Sequence, residues 1–290
     1  MIAALRPWFA LVRIGHSLFA LPFALASAWL AARGTPEPRV LVLVVVCAVA
    51  ARTAAMAFNR WLDRRIDAAN PRTAARELPR GALSAGAVLA LAGVAALAFL
   101  AAARALNPLC GRLAPAVLAV LFAYSATKRF TAGAHFVLGL ALALAPLGAW
   151  VAVRGELSGD LAPPLLLALA VLTWVAGFDL IYACQDEAFD RAHGLHSIPA
   201  RLGTARSLRL SSALHVVTLL ALVLFAWRAE LGWVFDLALA GAAVLLFWQH
   251  TLVSPSDLSR ADLAFFTLNG WVSVAMFLGT ALDLHLRTRV

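Results

Sequence analysis

Long apolar runs separated by short polar segments fill the chain from about residue 14 onward. Each run is close to the roughly 20 apolar residues that an α-helix needs to cross a bilayer. Hydrocarbon leaves helices or closed barrels as options, and these runs are too long and too continuously apolar for barrel strands. The pattern predicts nine membrane-spanning helices, at 14–32, 40–58, 83–103, 107–126, 133–153, 162–183, 208–228, 231–249 and 264–284.

The first of these runs could also be interpreted as a signal peptide. The apolar segment after Arg13 is long enough to span a membrane, and further spans follow it. We therefore interpret it as the first retained helix. The fold class predicted for the chain is all-α: a polytopic membrane protein with about nine helices, forming one domain over residues 1–290.

Composition supports this class, because 63% of the residues are hydrophobic and only 13% are charged, against about a quarter in soluble domains. The net charge is +9, and a basic balance can indicate a nucleic-acid partner. Here most of the basic residues lie between the spans and act as topology signals, so no nucleic-acid partner is expected. Their bias favours a cytoplasmic position for segments 59–82 and 184–207, in a bacterial-type inner membrane.

The first of these polar segments carries Asn59, Asp63 and Asp67, spaced four residues apart. Positions four apart lie on one face of a helix. If the second span continues into this segment, three oxygen-bearing side chains form a stripe at the membrane edge. Pro71 then ends the helix, and a cytoplasmic loop follows.

The second polar segment repeats the spacing with Tyr182, Asp186 and Asp190. Asp179 lies seven residues before Asp186, inside a span or at its rim, where an ionisable side chain is costly and indicates function. Two acidic stripes on one side of the membrane, about 123 residues apart, predict two related halves, at roughly 1–130 and 131–290.

Facing carboxylates are the oxygen-rich ligands that Mg²⁺ prefers, and it binds through them together with phosphate groups of a substrate. Guanidinium groups bind phosphate oxygens in a bidentate manner. A ligand with a diphosphate head and a lipid tail therefore fits this place at the edge of the bilayer. The basic candidates for its head group are Arg60, Arg64, Arg65, Arg72, Lys128, Arg129 and Arg201.

These motifs resemble those of the UbiA superfamily of intramembrane aromatic prenyltransferases over nearly the full chain. The matching stretches are HSLFALPFA at 16–24, NRWLDRRID at 59–67, NPRTAARELPRG at 70–81, YSATKRFT at 124–131, and YACQDEAFD and HSIPARLG in the second polar segment. The resemblance implies nine helices around a central cavity. It also implies two Mg²⁺ ions that bridge a polyprenyl diphosphate at the cytoplasmic mouth.

Site residues follow from the same resemblance. Asn59, Asp63 and Asp67 match the first motif, and Asp186 and Asp190 match the second. Tyr182 and Asp179 match the positions that precede the second motif, and Arg129 matches a substrate-site arginine of the 4-hydroxybenzoate members. The catalytic aspartates implied are thus Asp63, Asp67, Asp186 and Asp190, with Asn59 as a further metal ligand. The predicted substrate-binding residues are Arg129, Tyr182 and Asp179 from this resemblance, together with Arg72 and Lys128 from the basic candidates for the diphosphate head group.

The function that the resemblance implies is transfer of a polyprenyl group to a small aromatic acid. We expect 4-hydroxybenzoate as acceptor, in ubiquinone synthesis. The second motif continues as QDEAFDRAHGLHSIPARLG, a form similar to a branch that includes menaquinone enzymes, so 1,4-dihydroxy-6-naphthoate is the alternative. An alternative of another class is a secondary transporter, which also shows internal repeats and intramembrane acids.

Overall fold

The computed structural model describes residues 2–12 and 19–287. The start of the first predicted span, with Arg13 and the His16–Leu18 part of the first matching stretch, lies outside the described residues. The described part is nearly all helical. Its α-helices are α1 (Ile2–Val12), α2 (Leu21–Ala32), α3 (Pro38–Ala69), α4 (Ala85–Leu106), α5 (Pro108–Thr127), α6 (Ala134–Arg154) and α7 (Ala162–Ala183). They continue with α8 (Glu187–Ala192), α9 (Ile198–Leu202), α10 (Thr204–Arg228), α11 (Trp233–Thr251) and α12 (Asn269–Arg287), with a π-helical segment at Leu263–Leu268.

Eight helices in the described ranges are long and apolar enough to cross a membrane. They correspond to the second through ninth predicted spans. Helix α2 is apolar but has only 12 residues, and it covers the second part of the first predicted span. The predicted class, an all-α polytopic membrane protein, is confirmed.

Helix α3 carries the first acidic stripe beyond the membrane. It has 32 residues, or about 48 Å at 1.5 Å per residue, against about 30 Å of hydrocarbon. Its helical geometry continues through Asp67 and ends at Ala69, because Pro71 disfavours helical backbone at the residue before it. The stripe predicted from the four-residue spacing therefore forms.

The second acidic stripe has a different backbone. Helix α7 ends at Ala183, a 3₁₀ turn covers Cys184–Asp186, and α8 begins at Glu187. A 3₁₀ turn is tighter than an α-turn and rotates the side chains that follow it. Asp186 and Asp190 consequently leave the membrane on a short, irregular extension of α7 rather than on one regular helix.

Two large apolar clusters hold the bundle together. One surrounds α7 and includes the fully buried Trp174, Phe225 and Phe235. The other lies among α2 to α6 and is rich in alanine, as at Ala28 and Ala114. Small residues let helices approach closely, and van der Waals packing is the main attraction between helices in lipid.

Helix α1 was not predicted from the sequence. Its Leu11 is buried against Ala57 of α3 and Val88 of α4. Its 11 residues are too few for a membrane span, so apolar run length does not predict it. The helix covers the ends of α3 and α4 that lie close to the first acidic stripe.

Candidate active site

Asp63 is buried among three partners. Asn59 Nδ2 donates to its Oδ2 at 3.2 Å, and Lys128 Nζ lies 3.1 Å from the same oxygen. Arg129 Nη2 donates to Oδ1 at 2.7 Å and also reaches the carbonyl of Leu62. The end of α5 is thereby fixed to α3, with two positive charges on one carboxylate.

Asp67, one turn later, is also buried, and it faces the loop that follows α3. Arg76 Nη1 donates to its Oδ1 at 2.7 Å, and Thr73 Oγ1 donates to its backbone carbonyl. Its Oδ2 is 3.9 Å from Arg60 Nη1 and has no hydrogen-bond partner among the described residues. An ionised oxygen without a hydrogen bond is costly inside a protein, so this atom is a ready acceptor for a further ligand.

Asp186 forms an ion pair with Arg72, which lies in the loop that follows α3. Arg72 Nε donates to Oδ1 at 2.9 Å, Nη2 donates to Oδ2, and Asn70 Nδ2 also donates to Oδ1. Arg72 Nη1 donates to the Tyr182 hydroxyl at 2.6 Å, and its guanidinium lies over the Tyr182 ring. Burial lowers the pKa of Arg72, but the hydrogen bond and the charge of Asp186, together with Tyr182, raise it above its usual value.

Asp190 and Asp179 occupy other surroundings. Asp190 is half-buried, bonds to Ser197, and feels the charges of Asp186 and Lys128. Asp179 lies 2.7 Å from His135 Nδ1, and the buried Nε2 of His135 has no hydrogen-bond partner among the residues the structure describes. The structure therefore joins Asp179 to α6 rather than to the basic side chains around the other aspartates.

The predicted residues thus form two groups. Asn59, Asp63, Lys128 and Arg129 form one, and Arg72, Tyr182 and Asp186 form the other. Of the other basic candidates, Arg64 turns to the backbone and ring of Trp61, and Arg65 and Arg201 are exposed. In each group the acid pairs with basic side chains from a different polar segment of the chain.

No three His, Cys, Asp or Glu side chains within residues 2–12 and 19–287 lie close enough together to hold a metal ion. The donor chemistry nevertheless fits Mg²⁺, since the carboxylates of Asp63, Asp67 and Asp186 are hard oxygen ligands. The Oδ2 of Asp67, which has no hydrogen-bond partner in the described part of the chain, is free to accept such a ligand. Basic side chains neutralise these carboxylates in the structure, and a metal ion would have to displace some of them.

An apolar cavity of about 520 Å³ lies among α2 to α7. Arg52 and Tyr124 are polar residues in its wall. Arg52 Nε is buried and has no hydrogen-bond partner in the described part of the chain. The Tyr124 hydroxyl feels the charges of Arg52, Arg60 and Asp63, so the polar end of the cavity adjoins the first acidic stripe.

The cavity is not sealed from the surroundings of the protein. Val49, Leu113 and Leu165 line it and are also exposed on the outer surface. In a membrane that surface faces lipid, so a long apolar chain could pass from the bilayer into the cavity.

Four site residues were not predicted from the sequence: Asn70, Arg76, His135 and Arg52. Asn70 and Arg76 lie in the stretch 70–81 that carries the family resemblance, but nothing in the sequence pairs them with Asp186 and Asp67. Arg52 had a usable signal, because a single arginine interrupts the apolar run 40–58, and a charge at such a position is typically functional.

This arrangement is that of a membrane-embedded enzyme, with acids and bases gathered at one end of an apolar cavity. The profile of the UbiA prenyltransferase family matches residues 20–272. The chain is 36% identical over 275 residues to a 4-hydroxybenzoate octaprenyltransferase of Pseudomonas aeruginosa (strain LESB58), covering 94% of this chain and 90% of that protein.

Solved structures agree with this match. The apo structure of a UbiA homologue from Aeropyrum pernix K1 is 34% identical, with a TM-score of 0.84, covering 92% of this chain and 98% of that one. A UbiA homologue from Archaeoglobus fulgidus bound to DMAPP and Mg²⁺ has a TM-score of 0.73. At 18% identity, over 96% of this chain and 99% of that one, it shares the fold.

The chain belongs to the UbiA prenyltransferase family. It is a multi-pass membrane protein and a prenyltransferase. Family membership sets aside the secondary transporter that the sequence left open.

Proposed function

We propose that the protein transfers a polyprenyl group from a polyprenyl diphosphate to 4-hydroxybenzoate, with Mg²⁺ as cofactor. One observation carries the proposal: buried aspartates and basic side chains meet at the polar end of a lipid-accessible apolar cavity. The Arg52 Nε in its wall has no hydrogen-bond partner within residues 2–12 and 19–287. The names of the curated relatives support 4-hydroxybenzoate over the naphthoate alternative.

The acidic residues would hold the metal. Asp63, Asp67, Asp186 and Asp190, with the amide oxygen of Asn59, provide the hard donors. Bound there, Mg²⁺ would neutralise the diphosphate and favour its departure. The solved relative that binds DMAPP together with Mg²⁺ supports the pairing of metal and prenyl diphosphate.

The basic side chains serve a second purpose once the carboxylates bind metal. Arg72, Lys128 and Arg129 are now paired with Asp186 and Asp63. Released from these acids, they would turn to the diphosphate oxygens and stabilise the negative charge that grows as the allylic C–O bond breaks. The ion pairs of the free protein therefore keep these cations close to where the substrate needs them.

The cavity accounts for the apolar and aromatic parts of the reaction. The prenyl chain would lie along its alanine- and leucine-lined wall, and Arg52 would bind the carboxylate of the aromatic acid. A guanidinium binds a carboxylate through two parallel hydrogen bonds, which fixes the orientation of the acceptor ring. The same wall excludes water from the allylic cation.

The chemical step then balances as follows. The C–O bond to diphosphate breaks, and its electron pair leaves with the diphosphate. A ring carbon beside the acceptor hydroxyl forms a C–C bond to the allylic carbon, and that ring carbon loses its proton to restore aromaticity. We place this chemistry at the cytoplasmic face of a bacterial inner membrane, because segments 59–82 and 184–207 carry most of the basic residues between spans.

The test is product formation by the purified protein in proteoliposomes. Octaprenyl diphosphate and Mg²⁺ are supplied with either 4-hydroxybenzoate or 1,4-dihydroxy-6-naphthoate, and products are identified by mass. We expect prenylated hydroxybenzoate, lost on addition of EDTA and restored by excess Mg²⁺. Prenylated naphthoate as the only product would assign the protein to the menaquinone alternative. Transfer that EDTA does not affect would contradict the metal assignment.

A further inference from the structure

The last membrane helix begins with an unusual segment. Residues Leu263–Leu268 are π-helical and run directly into α12. π-Helical turns are rare, and they are frequent at functional sites because they shift the side chains that follow out of the regular α register. This one lies at the end of the bundle that carries both acidic stripes.

Two aromatic side chains of this segment form a wall against Tyr182. The ring centroid of Phe265 is 4.3 Å from that of Tyr182, and that of Phe266 is 5.8 Å from it. Tyr182 in turn accepts a hydrogen bond from Arg72, and Arg72 donates two further hydrogen bonds to the carboxylate of Asp186. We call Phe265, Phe266 and Tyr182 the aromatic wall. It connects the π-helical segment directly to the second acidic group.

One fully buried side chain holds the π-helical segment to α7. Asn269 Nδ2 donates to the carbonyls of Ala264 and Phe265, both at 3.0 Å. Its Oδ1 accepts a hydrogen bond of 2.7 Å from the indole Nε1 of Trp174. Asn269 and Trp174 are both 0% exposed. Every polar atom of the amide group is therefore used.

The position of Trp174 explains why this link bears on the site. Trp174 lies eight residues before Tyr182 on α7, and α7 also carries Asp179. Asn269 thus links the helix that carries Phe265 and Phe266 to the helix that carries Tyr182. Removing a hydrogen-bonding group from such a dry site leaves its partners unsatisfied, and they must move or accept the cost.

We propose that Asn269 is a positioning residue for prenyl transfer: through the π-helical segment and Trp174 it holds the aromatic wall against the diphosphate site, so that the allylic cation reacts with the aromatic acceptor rather than with water. The proposal rests on the proposed function. Aromatic faces stabilise a nearby cation, and a closed wall keeps water away from it.

A misplaced wall has a defined chemical consequence. The C–O bond to diphosphate still breaks, and its electron pair leaves with the diphosphate. The oxygen of a water molecule then bonds to the allylic carbon and loses a proton to solvent, which gives a prenyl alcohol. The ratio of prenyl alcohol to prenylated acceptor reports this partition, and it does not depend on how much of the protein is folded.

The experiment compares that ratio in wild-type protein, Asn269→Leu and Trp174→Phe. Asn269→Leu removes all three hydrogen bonds of the amide group. Trp174→Phe removes only the hydrogen bond between Trp174 of α7 and Asn269. This second variant still tests the proposal if Asn269→Leu does not fold. Thr218→Val is the matched control, because Thr218 is 2% exposed and bonds at 2.8 Å to Thr173 of α7, away from the wall. We expect the ratio to rise about tenfold in both test variants, below the ~10²-fold that a misplacement of ~1 Å can cost, and to stay unchanged in the control.

Hydrogen–deuterium exchange of the peptide covering 260–270 gives a second measurement that needs no turnover. Faster exchange in Asn269→Leu, but not in Thr218→Val, supports the role of Asn269 in holding the π-helical segment. An unchanged product ratio with a merely lower yield would overturn the proposal, as would an equal rise in Thr218→Val or unchanged exchange in Asn269→Leu. Failure of wild-type protein to make any prenylated acceptor would instead contradict the proposed function.

Discussion

Two buried polar atoms at the site lack a hydrogen-bond partner among the described residues, and they differ in the charge that each would bind. Among the described residues, the Oδ2 of Asp67 has no hydrogen-bond donor, although Arg60 lies 3.9 Å away, and the Nε of Arg52 has no acceptor. Both are buried, and a buried polar atom without a partner costs about 1–3 kcal/mol or more. A cation would pair with the Asp67 oxygen, and an anion would pair with the Arg52 nitrogen. A metal ion and the carboxylate of an aromatic acid carry these two charges.

Asp67→Asn tests the first of these residues. The substitution preserves shape but removes the negative charge that a metal ion requires, so we expect turnover to fall on the order of 10²-fold or more. The Mg²⁺ concentration for half-maximal activity should rise as well. The measurement is a Mg²⁺ titration of product formation, with Asp262→Asn, an exposed helical aspartate directly before the π-helical segment, as control. Wild-type metal dependence in a folded Asp67→Asn protein would contradict a ligand role.

Arg52→Met tests whether Arg52 binds the carboxylate of the aromatic acceptor. Methionine fills a similar space without charge, so the fold should be kept, while the carboxylate of the acceptor loses its partner. We expect KM for 4-hydroxybenzoate to rise about 10- to 100-fold, the range for a charged hydrogen bond of roughly 1.5–3 kcal/mol. KM for the prenyl diphosphate should stay near its wild-type value.

The control for Arg52 is Arg65→Met, which removes an exposed arginine from the same helix. If both variants changed KM equally, a general effect of charge would replace the specific carboxylate contact. A selective rise in KM for the prenyl diphosphate in Arg52→Met would move Arg52 from the acceptor to the donor.

Among the helices, the close approach of α6 and α7 depends on one glycine. A Cβ at Gly139 would lie 2.4 Å from the carbonyl oxygen of Leu172, and a backbone atom within a packed helix cannot give way. This contact sets the distance between α6, which carries His135, and α7, which carries Asp179. The hydrogen bond between those two side chains therefore depends on a residue that touches neither.

Gly139→Ala should therefore push the two helices apart. Overpacking of this kind costs about 1–3 kcal/mol, and we expect a lower Tm in detergent together with reduced activity. Gly93→Ala is the matched control, because a Cβ there meets nothing within 4 Å and alanine favours the helix. A Tm for Gly139→Ala equal to that of wild type would show that the helices adjust at little cost.

At the scale of the whole molecule, ion pairs and hydrogen bonds connect the polar segments at one end of the bundle. Arg72 from the loop after α3 binds Asp186, Arg129 at the end of α5 binds Asp63, and the amide of His196 donates to the carbonyl of Lys128. These contacts join the segments 59–82, 128–133 and 184–203 into one surface. The assignment of this surface to the cytoplasm is a proposal, and so is the division of the chain into two related halves.

Thiol labelling tests the orientation. Ser256→Cys and Ser158→Cys are the same conservative change at two exposed positions, on opposite sides of the membrane if the helices alternate in direction. Background should be low, because Cys110 and Cys184 are buried and Cys47 is half-buried. In intact cells an impermeant maleimide should modify Ser158→Cys alone, and Ser256→Cys should react only after the membrane is opened. The reverse pattern would place the acidic stripes outside the cytoplasm.

Much of the site could be predicted from local spacing, and the rest could not. Asn59, Asp63 and Asp67 were predicted to share a face, and α3 brings them together because helical periodicity is a property of neighbouring residues. The pairing of Asp67 with Arg76, or of Asp179 with His135, depends on how loops and helices meet. Helix α1 is too short to be found from apolar run length, and nothing in the sequence of the π-helical segment distinguishes it from the rest of its span.

The amino-acid sequence by itself determined the membrane class, the order of the helices and the two acidic motifs. These follow from apolar run length, because hydrocarbon requires helices, and from the fixed four-residue repeat of a helix face. Only the tertiary structure decided which base pairs with which acid, where the cavity meets Asp63, and how Asn269 connects α12 to α7. Such contacts join residues far apart in the chain, and the packing of side chains between helices sets their distances.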